Sequence, residues 1–235
     1  MPLVPRARAA APPGARPSLG AVTTFDCRVP DTRAAGLAAA AAAVRAGRLV
    51  VVPTDTSYGI GADAFDQAAV RSLLVAKQRG PETPVPVLVG SWSTIDGLVA
   101  AVPSTARDLV EAFWPGGLSI VLPHAPSLAW DLGRTRGTVV LRMPLHPVAL
   151  ELLRECGPMA ITGANAGSGA VPHDCADAYT QLGEAVDVYL DGGPLESDAG
   201  STIVDLTGTE PVVRREGVVS TAEIAEVLGR TPAVA

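Results

Sequence analysis

Short apolar segments alternate with helical segments along most of this chain, and this order limits the folds open to it. The apolar segments are rich in Val, Ile and Leu, and we predict strands at 48–53, 84–90, 118–122, 138–143, 158–162, 186–190, 201–206 and 211–215. Between them we predict helices at 31–46, 67–77, 104–114, 146–156, 175–182 and 220–229. Interleaved strands and helices predict an α/β fold, a single domain in which helices cover a sheet.

Local signals predict several element boundaries. Asp31-Thr32 is a candidate N-cap of the alanine-rich first helix, and Gly47 suits the position after its last turn. Asp66 is a candidate N-cap of the second helix. Pro86 cannot donate a hydrogen bond to a neighbouring strand, so the segment 84–90 is predicted near an edge of the sheet.

Composition excludes several classes of protein. The 235 residues are 48% hydrophobic and 18% charged, which is typical of a globular protein. No apolar run reaches the ~18 residues of a membrane span, so no membrane partner is expected. The net charge of −6 argues against a protein that coats nucleic acid. Three widely spaced cysteines fit neither a disulfide framework nor a zinc site, and they indicate a reducing, cytoplasmic location.

The first residues of the chain differ from the rest. Residues 1–22 are rich in Pro, Ala and Arg and have neither strand nor helix periodicity, so we predict a disordered tail followed by one domain at 23–235. The tail lacks the continuous apolar core of a secretory signal. A transit peptide stays an alternative because the tail has arginines and no acid, although its prolines break an amphipathic helix.

Polar and small residues follow several predicted strands, and ligands bind at such positions in open α/β sheets. The stretch PTDTSYGIGADA (53–64) follows the first strand and combines hydroxyl and carboxylate groups with two glycines that permit close backbone approach. It is interpreted either as a ligand-binding loop or as a hydrogen-bonded turn.

Cationic side chains at three places are further candidates for ligand binding. Lys77, the only lysine of the chain, precedes Arg79 by two residues at a helix end, where the helix dipole favours cations. A compact ammonium beside a planar guanidinium would suit a polyphosphate. Arg142 lies inside an apolar strand and needs either a ligand or an internal acidic partner, because an unpaired buried charge is costly. Ser201 and Arg215, on two late strands, are weaker candidates.

Taken in order, these pieces resemble the YrdC/TsaC family of threonylcarbamoyl-AMP synthases. The matching stretches are PTDTSYGIGADA, AKQR followed by TPVPVLV, FWPGGLSIVL, TVVLRMPLHPVALELL, PMAITGAN, GSTIVDL and VVRREG. The resemblance implies a twisted mixed sheet with helices around a large basic cavity. It also implies nucleotidyl transfer, in which L-threonine, bicarbonate and ATP with Mg²⁺ give threonylcarbamoyl-AMP and pyrophosphate. The product would feed N6-threonylcarbamoyladenosine synthesis in tRNA through a separate transferase complex.

The resemblance also implies roles for particular residues, and it assigns no protein ligand to a metal. Lys77 and Arg79 would be catalytic and hold the triphosphate. Thr56, Arg142 and Ser201 would bind threonine. The other nucleotide-binding positions would be Thr83, Thr138, Gly163, Asn165 and Arg215.

Several positions depart from the family pattern. Gly163 replaces the serine of a Ser-x-Asn motif, and strand alternation places the neighbouring Thr162 on the other face. Leu88 stands where many relatives have a ligand-facing His, and Ser57 where an aliphatic residue is common. A paralogue that adenylates the carbamate of another amine therefore stays an alternative. A second alternative is a non-catalytic module that binds RNA or tRNA directly, because the resemblance implies a concave basic surface that has been associated with RNA.

Overall fold

The computed structural model describes residues 22–195 and 199–235, so the predicted tail lies outside the described residues apart from Val22. The helices in these ranges are α1 (Pro30–Arg45), α2 (Gln67–Ala76), α3 (Ser104–Phe113), α4 (Pro147–Cys156), α5 (Cys175–Leu182) and α6 (Thr221–Leu228). The strands are β1 (Thr23–Asp26), β2 (Val50–Pro53), β3 (Tyr58–Asp63), β4 (Val87–Leu88), β5 (Leu118–Pro123), β6 (Thr138–Arg142), β7 (Met159–Gly163), β8 (Val188–Asp191), β9 (Thr202–Asp205), β10 (Val212–Arg215) and β11 (Ala233–Val234). None of the helices in the described ranges has the length and apolar character that a bilayer span requires.

All of these strands join one sheet, in the order β1-β8-β2-β3-β7-β4-β6-β5-β9-β10-β11. Neighbouring strands pair in both senses. The pairs β4–β6 and β5–β9 are parallel, whereas β3–β7 and β5–β6 are antiparallel. The predicted α/β fold with a mixed sheet is confirmed, and every predicted strand contributes to that one sheet.

Helices cover the two faces of the sheet unequally. On one face α2, α3, α5 and α6 pack on the larger core, to which Leu73 of α2 belongs. On the other face α1 packs against α4 around a smaller core that includes Leu152. Alternation along β2 separates the two cores, because Val51 belongs to the larger one and Val50 and Val52 to the smaller one.

Two predicted boundaries are confirmed and one is wrong. The Asp66 carboxylate accepts hydrogen bonds from the N–H groups of Ala68 and Ala69, and so caps α2. Gly47 has a φ of 68°, as expected after the end of α1. The predicted cap at Asp31-Thr32 is wrong, because α1 already begins at Pro30, whose fixed φ suits the first helical turn.

Two strand predictions also need correction. The segment 84–90 was predicted near an edge, yet β4 lies inside the sheet between β7 and β6. Pro86 is tolerated there because it precedes the two-residue strand and uses only its carbonyl, which accepts a hydrogen bond from Ile161 N–H. Strand β3 was missed because its Gly59 and Gly61 lower strand propensity. A Cβ at Gly59 would lie 2.6 Å from Ile161 Cγ2, so these glycines make room for a neighbouring side chain.

Candidate functional site

Buried polar side chains concentrate in one part of the molecule. The described residues bury seven polar or charged side chains: Thr54, Thr56, Lys77, Ser119, Arg142, Ser201 and Thr202. Five of them line one cavity of about 310 Å³, Lys77 contacts two residues that line it, and Thr202 follows Ser201. Buried polar groups are costly without partners, so their concentration around a cavity marks the candidate site.

The cavity lies on the face of the sheet that carries α1 and α4. Leu88 and Ile161 belong to the smaller core on that face, and both line the cavity. On β6, Val139 and Leu141 belong to the larger core, so Val140 and Arg142 face the opposite side. The same alternation places Ser119 of β5 on the cavity side. The sheet therefore presents its polar residues where α1 and α4 leave it uncovered.

Arg142 has the acidic partner that the sequence left open, and it also lines the cavity. Its guanidinium donates to Asp55 Oδ1 at 2.7 Å, to Thr56 Oγ1 at 2.7 Å and, through Nε, to the Gly116 carbonyl at 2.9 Å. Burial lowers the pKa of the Arg142 guanidinium, and the Asp55 carboxylate opposes that shift. Three of five N–H donors are engaged in these bonds, so the fork keeps donors for a ligand.

Thr56 lies in the turn between β2 and β3. Thr54 holds this turn, because its Oγ1 donates to the Ser57 carbonyl at 2.6 Å and accepts from the Ser57 and Thr56 N–H groups. Both interpretations of the stretch 53–64 therefore contribute, since its first residues form a hydrogen-bonded turn that also lines the cavity.

Ser201 and Arg215 also meet at the cavity. Arg215 donates through Nε and Nη2 to the Ser201 carbonyl, at 2.9 and 2.8 Å, and through Nη2 to Ser201 Oγ at 3.1 Å. Ser119 Oγ also donates to Ser201 Oγ, at 3.0 Å. The next residue, Thr202, holds the loop after β10, accepting from Gly217 N–H and Val219 N–H and donating to the Val219 carbonyl.

Lys77 ends α2 beneath the loop that follows β7. Its Nζ donates to the Gly163 carbonyl at 2.5 Å, the Asn165 carbonyl at 2.7 Å and Asn165 Oδ1 at 3.1 Å. All three acceptors are oxygens of neutral groups. Burial, and to a lesser extent the positive charge of Arg79, lower the pKa of Lys77 to about 8. Lys77 thus places a charge directly behind two residues of the cavity wall, Gly163 and Asn165.

Comparison with known proteins decides the family. The Sua5/YciO/YrdC family model, described as "Telomere recombination", matches residues 42–217, more than half of the chain. The chain belongs to the Sua5/YciO/YrdC family. A relative from Mycobacterium tuberculosis, which carries the provisional name threonylcarbamoyl-AMP synthase, is 62% identical over 206 residues. That match covers 88% of this chain and 95% of the relative.

More distant family members extend beyond the matched region. Threonylcarbamoyl-AMP synthase from Pyrococcus abyssi is 34% identical over 191 residues, which are 81% of this chain and 56% of that protein. The crystal structure of P. abyssi Sua5 complexed with L-threonine matches with a TM-score of 0.85 at 30% identity. It covers 92% of this chain and 63% of the P. abyssi chain, so this chain spans less than two thirds of that family member.

The structure of this chain brings together six of the ten predicted site residues around its cavity. Thr56, Arg142, Ser201, Gly163, Asn165 and Arg215 line it. Lys77 lies behind its wall, and the exposed Arg79 donates to the Gly167 carbonyl at 2.8 Å.

The other two predicted residues do not line the cavity. Thr138 shares a face of β6 with Arg142 but lies at the opposite end of the strand, where its hydroxyl donates to the Thr135 carbonyl. Thr83 lies in the loop before β4, and its N–H donates to the Gly80 carbonyl. A nucleotide role for either residue stays a prediction.

Sequence reasoning missed Ser119, which the structure places in the cavity wall. A single serine within the apolar strand LSIVL does not by itself indicate a binding site. The signal that could have found it is alternation, because Leu118, Ile120 and Leu122 all belong to the larger core and Ser119 must then face the other side.

Proposed function

We propose that this chain is an L-threonylcarbamoyladenylate synthase, which condenses L-threonine, bicarbonate and ATP to threonylcarbamoyl-AMP and pyrophosphate. The observation that carries the proposal is the buried Arg142 at the cavity, with the Thr56 and Ser201 hydroxyls beside it. No acidic side chain lines the cavity among the described residues, so the part of the cavity around Arg142 suits a carboxylate. The names of the relatives and the P. abyssi structure with L-threonine support the same substrate.

The proposed chemistry needs binding and positioning more than a nucleophilic side chain. The threonine amine adds to bicarbonate and water leaves, which gives a carbamate. A carbamate oxygen then attacks the α-phosphorus of ATP while the bond to the β-phosphate oxygen breaks and pyrophosphate leaves. Such phosphoryl chemistry depends on in-line placement and charge neutralisation, which cations and hydroxyls supply.

Each side chain has a place in this reaction. Arg142, Thr56 and Ser201 would hold the threonine carboxylate, and Arg215 would contact the nucleotide across the cavity. Lys77 and Arg79 would hold the triphosphate beside the loop that carries Gly163 and Asn165. All three donors of Lys77 bond to this loop in the structure, so a phosphate oxygen would replace at least one of those bonds. Their charges would offset the negative charge that builds on the departing pyrophosphate.

Mg²⁺ is proposed to enter with ATP. The described residues contain no group of three or more His, Cys, Asp or Glu side chains placed to hold a metal. Mg²⁺ commonly binds substrate phosphates and keeps several waters, and in that form it would supply charge neutralisation at the triphosphate. We place the reaction in the cytoplasm, where its product would pass to a separate transferase that modifies tRNA.

A second candidate function is a synthase of the same kind that acts on another amine. Leu88 and Ile161 make one wall of the cavity apolar, and Gly163 lacks the hydroxyl that the family pattern places there. An apolar wall would accept an alkyl side chain as readily as that of threonine. Adding or removing one methylene in such a wall changes selectivity only about 10–200-fold.

Pyrophosphate release with a series of amino acids separates the two candidates. The protein is incubated with Mg·ATP, bicarbonate and, in turn, L-threonine, L-serine, L-valine or no amino acid. We expect the highest kcat/KM with threonine and no release without an amino acid. Higher kcat/KM with valine would favour the second candidate, and no release with any amino acid would overturn both.

A further inference from the structure

Ser119 contacts the candidate site and has no role in the reaction as proposed above. Its side chain is 4% exposed and lies on β5, between the strand that carries Arg142 and the strand that follows Ser201. Its hydroxyl donates to Ser201 Oγ at 3.0 Å, and both side chains line the cavity. The contact therefore joins a buried hydroxyl to one that is predicted to bind substrate.

The hydrogen bonds at Ser201 leave its hydroxyl only one way to interact further. A serine hydroxyl offers two acceptor lone pairs and one donor proton. Ser201 Oγ accepts one bond from Ser119 and a second from Arg215 Nη2, at 3.1 Å. Both lone pairs are occupied, so the remaining interaction of this hydroxyl at the cavity is donation of its proton.

Thr56, which also lines the cavity, is constrained in the same sense. Its Oγ1 accepts from Arg142 at 2.7 Å. Thr54 Oγ1 lies 3.4 Å from Thr56 Oγ1, but it already donates to the Ser57 carbonyl and accepts from two backbone N–H groups, so it is a poor acceptor for the Thr56 proton. The Ser201 and Thr56 hydroxyls thus keep their protons for other acceptors, beside two arginines.

We propose that Ser119 is a positioning residue, which commits the Ser201 hydroxyl to donating toward an anionic oxygen of the bound substrate. The inference rests on the proposed function, in which that oxygen belongs to the carboxylate of L-threonine. Without Ser119, a lone pair of Ser201 is released, and the hydroxyl can rotate to accept a hydrogen bond instead. An accepting hydroxyl does not bind a carboxylate.

A double-mutant cycle tests whether Ser119 acts through Ser201. Binding of L-threonine and of ATP is measured by titration calorimetry for the wild type, Ser119→Ala, Ser201→Ala and the double variant. We expect Ser119→Ala to weaken threonine binding about threefold to tenfold, the loss typical of one hydrogen bond, and to leave ATP binding unchanged. In the Ser201→Ala background the same change should cost less than twofold.

Two results would overturn the proposal. One is an unchanged affinity for threonine in Ser119→Ala, and the other is an equal loss in both backgrounds, which indicates altered packing. Ser72→Ala is the matched control, because Ser72 lies on α2 and its hydroxyl donates to the Ala68 carbonyl away from the cavity. Failure of the proposed function is seen separately, in the wild type, as threonine binding without pyrophosphate release. A wild type that does not bind threonine would overturn both.

Discussion

At the scale of single residues, the surroundings of Lys77 explain why this position is a lysine in a chain that otherwise uses arginine. Three oxygens from Gly163 and Asn165 converge on its Nζ, and a compact ammonium with three donors matches them. A planar guanidinium of larger size would not fit the same three acceptors. The sequence indicated that Lys77 is important. It could not show these contacts, because the oxygens come from residues far along the chain.

The pKa of Lys77, about 8, predicts a pH dependence of nucleotide binding. As the pH rises through 8 the ammonium loses its proton, so the Kd for a non-hydrolysable ATP analogue should rise, approaching tenfold per pH unit. In Lys77→Arg we expect weaker binding of the analogue at pH 7 but no further weakening as the pH rises. Calorimetric titrations between pH 6.5 and 9.5 measure both. An identical alkaline loss in Lys77→Arg would refute the assignment of this titration to Lys77.

The same pKa shift has a consequence for stability. The pKa of Lys77 is lowered from its usual 10.5, so between about 8 and 10.5 the unfolded state binds more protons than the folded state. The contribution of this group to the free energy of unfolding therefore increases as pH rises through that window.

Gly163→Ser is predicted to raise kcat/KM for ATP above that of the wild type or to leave it unchanged. The new Cβ would lie 3.0 Å from Asn165 Oδ1, so Asn165 must move slightly, but the φ of Gly163 is not positive and poses no obstacle. We expect kcat/KM for ATP to exceed that of Gly163→Ala by about threefold to tenfold, the effect of one added hydrogen bond. Gly163→Ala is the control for the added carbon. A Ser variant no better than the Ala variant would show that the hydroxyl does not reach the nucleotide.

At the scale of elements, the site depends on two short connections that the sheet brings together. The turn after β2 is fixed by the side chain of Thr54, and the loop after β10 by that of Thr202. Each threonine bonds to backbone groups of its connection. In both connections the backbone groups that these threonines contact are therefore paired.

Thr202→Val is predicted to loosen the loop after β10. Valine has nearly the same shape, but it leaves Gly217 N–H, Val219 N–H and the Val219 carbonyl without their partner. We expect the free energy of unfolding to fall by about 2–4 kcal/mol. Urea denaturation measures this. Thr209→Val is the matched control, since Thr209 is exposed and its hydroxyl bonds to none of the described residues, so stability should change by less than about 0.5 kcal/mol. Equal effects of the two substitutions would contradict this role.

Most elements could be predicted from the sequence because periodicity and caps report local physics. The helix α2 was predicted from its apolar spacing and from Asp66, and both are confirmed. The errors arose where tertiary contacts override local preference. Strand β3 contains two glycines that make room for Ile161, and β4 is an interior strand only two residues long beside Pro86. Neither contact is visible from a single stretch of sequence.

At the scale of the whole molecule, unequal coverage of the sheet creates the site. Four helices cover one face completely enough to build the larger core, and two helices cover part of the other. The cavity lies on that second face, where Leu88, Val140 and Arg142 alternate away from the larger core. The family resemblance predicted six of the residues that line the cavity. The sequence could not show which strands are neighbours, so the contact between Ser119 and Ser201 was not predicted.

Arg142→Lys is predicted to separate threonine recognition from nucleotide recognition. Lysine preserves the positive charge opposite Asp55 but loses the fork that also holds Thr56 and the Gly116 carbonyl. We expect kcat/KM for L-threonine to fall at least about 100-fold, since hydrogen bonds to charged groups contribute about 1.5–3 kcal/mol each. The Kd for the ATP analogue should change less than threefold. Parallel losses for both substrates would contradict the placement of Arg142 at the carboxylate.

Mass spectrometry of the product shows whether the proposed condensation of L-threonine, bicarbonate and ATP takes place. The wild type and Arg142→Lys are incubated with Mg·ATP, ¹³C-bicarbonate and L-threonine, and the nucleotide products are analysed. The account predicts that the wild type forms an AMP adduct containing threonine and one ¹³C atom, in equal amount to pyrophosphate, and that Arg142→Lys forms little of it. Pyrophosphate release without this adduct, or an adduct that lacks either threonine or the labelled carbon, would contradict it.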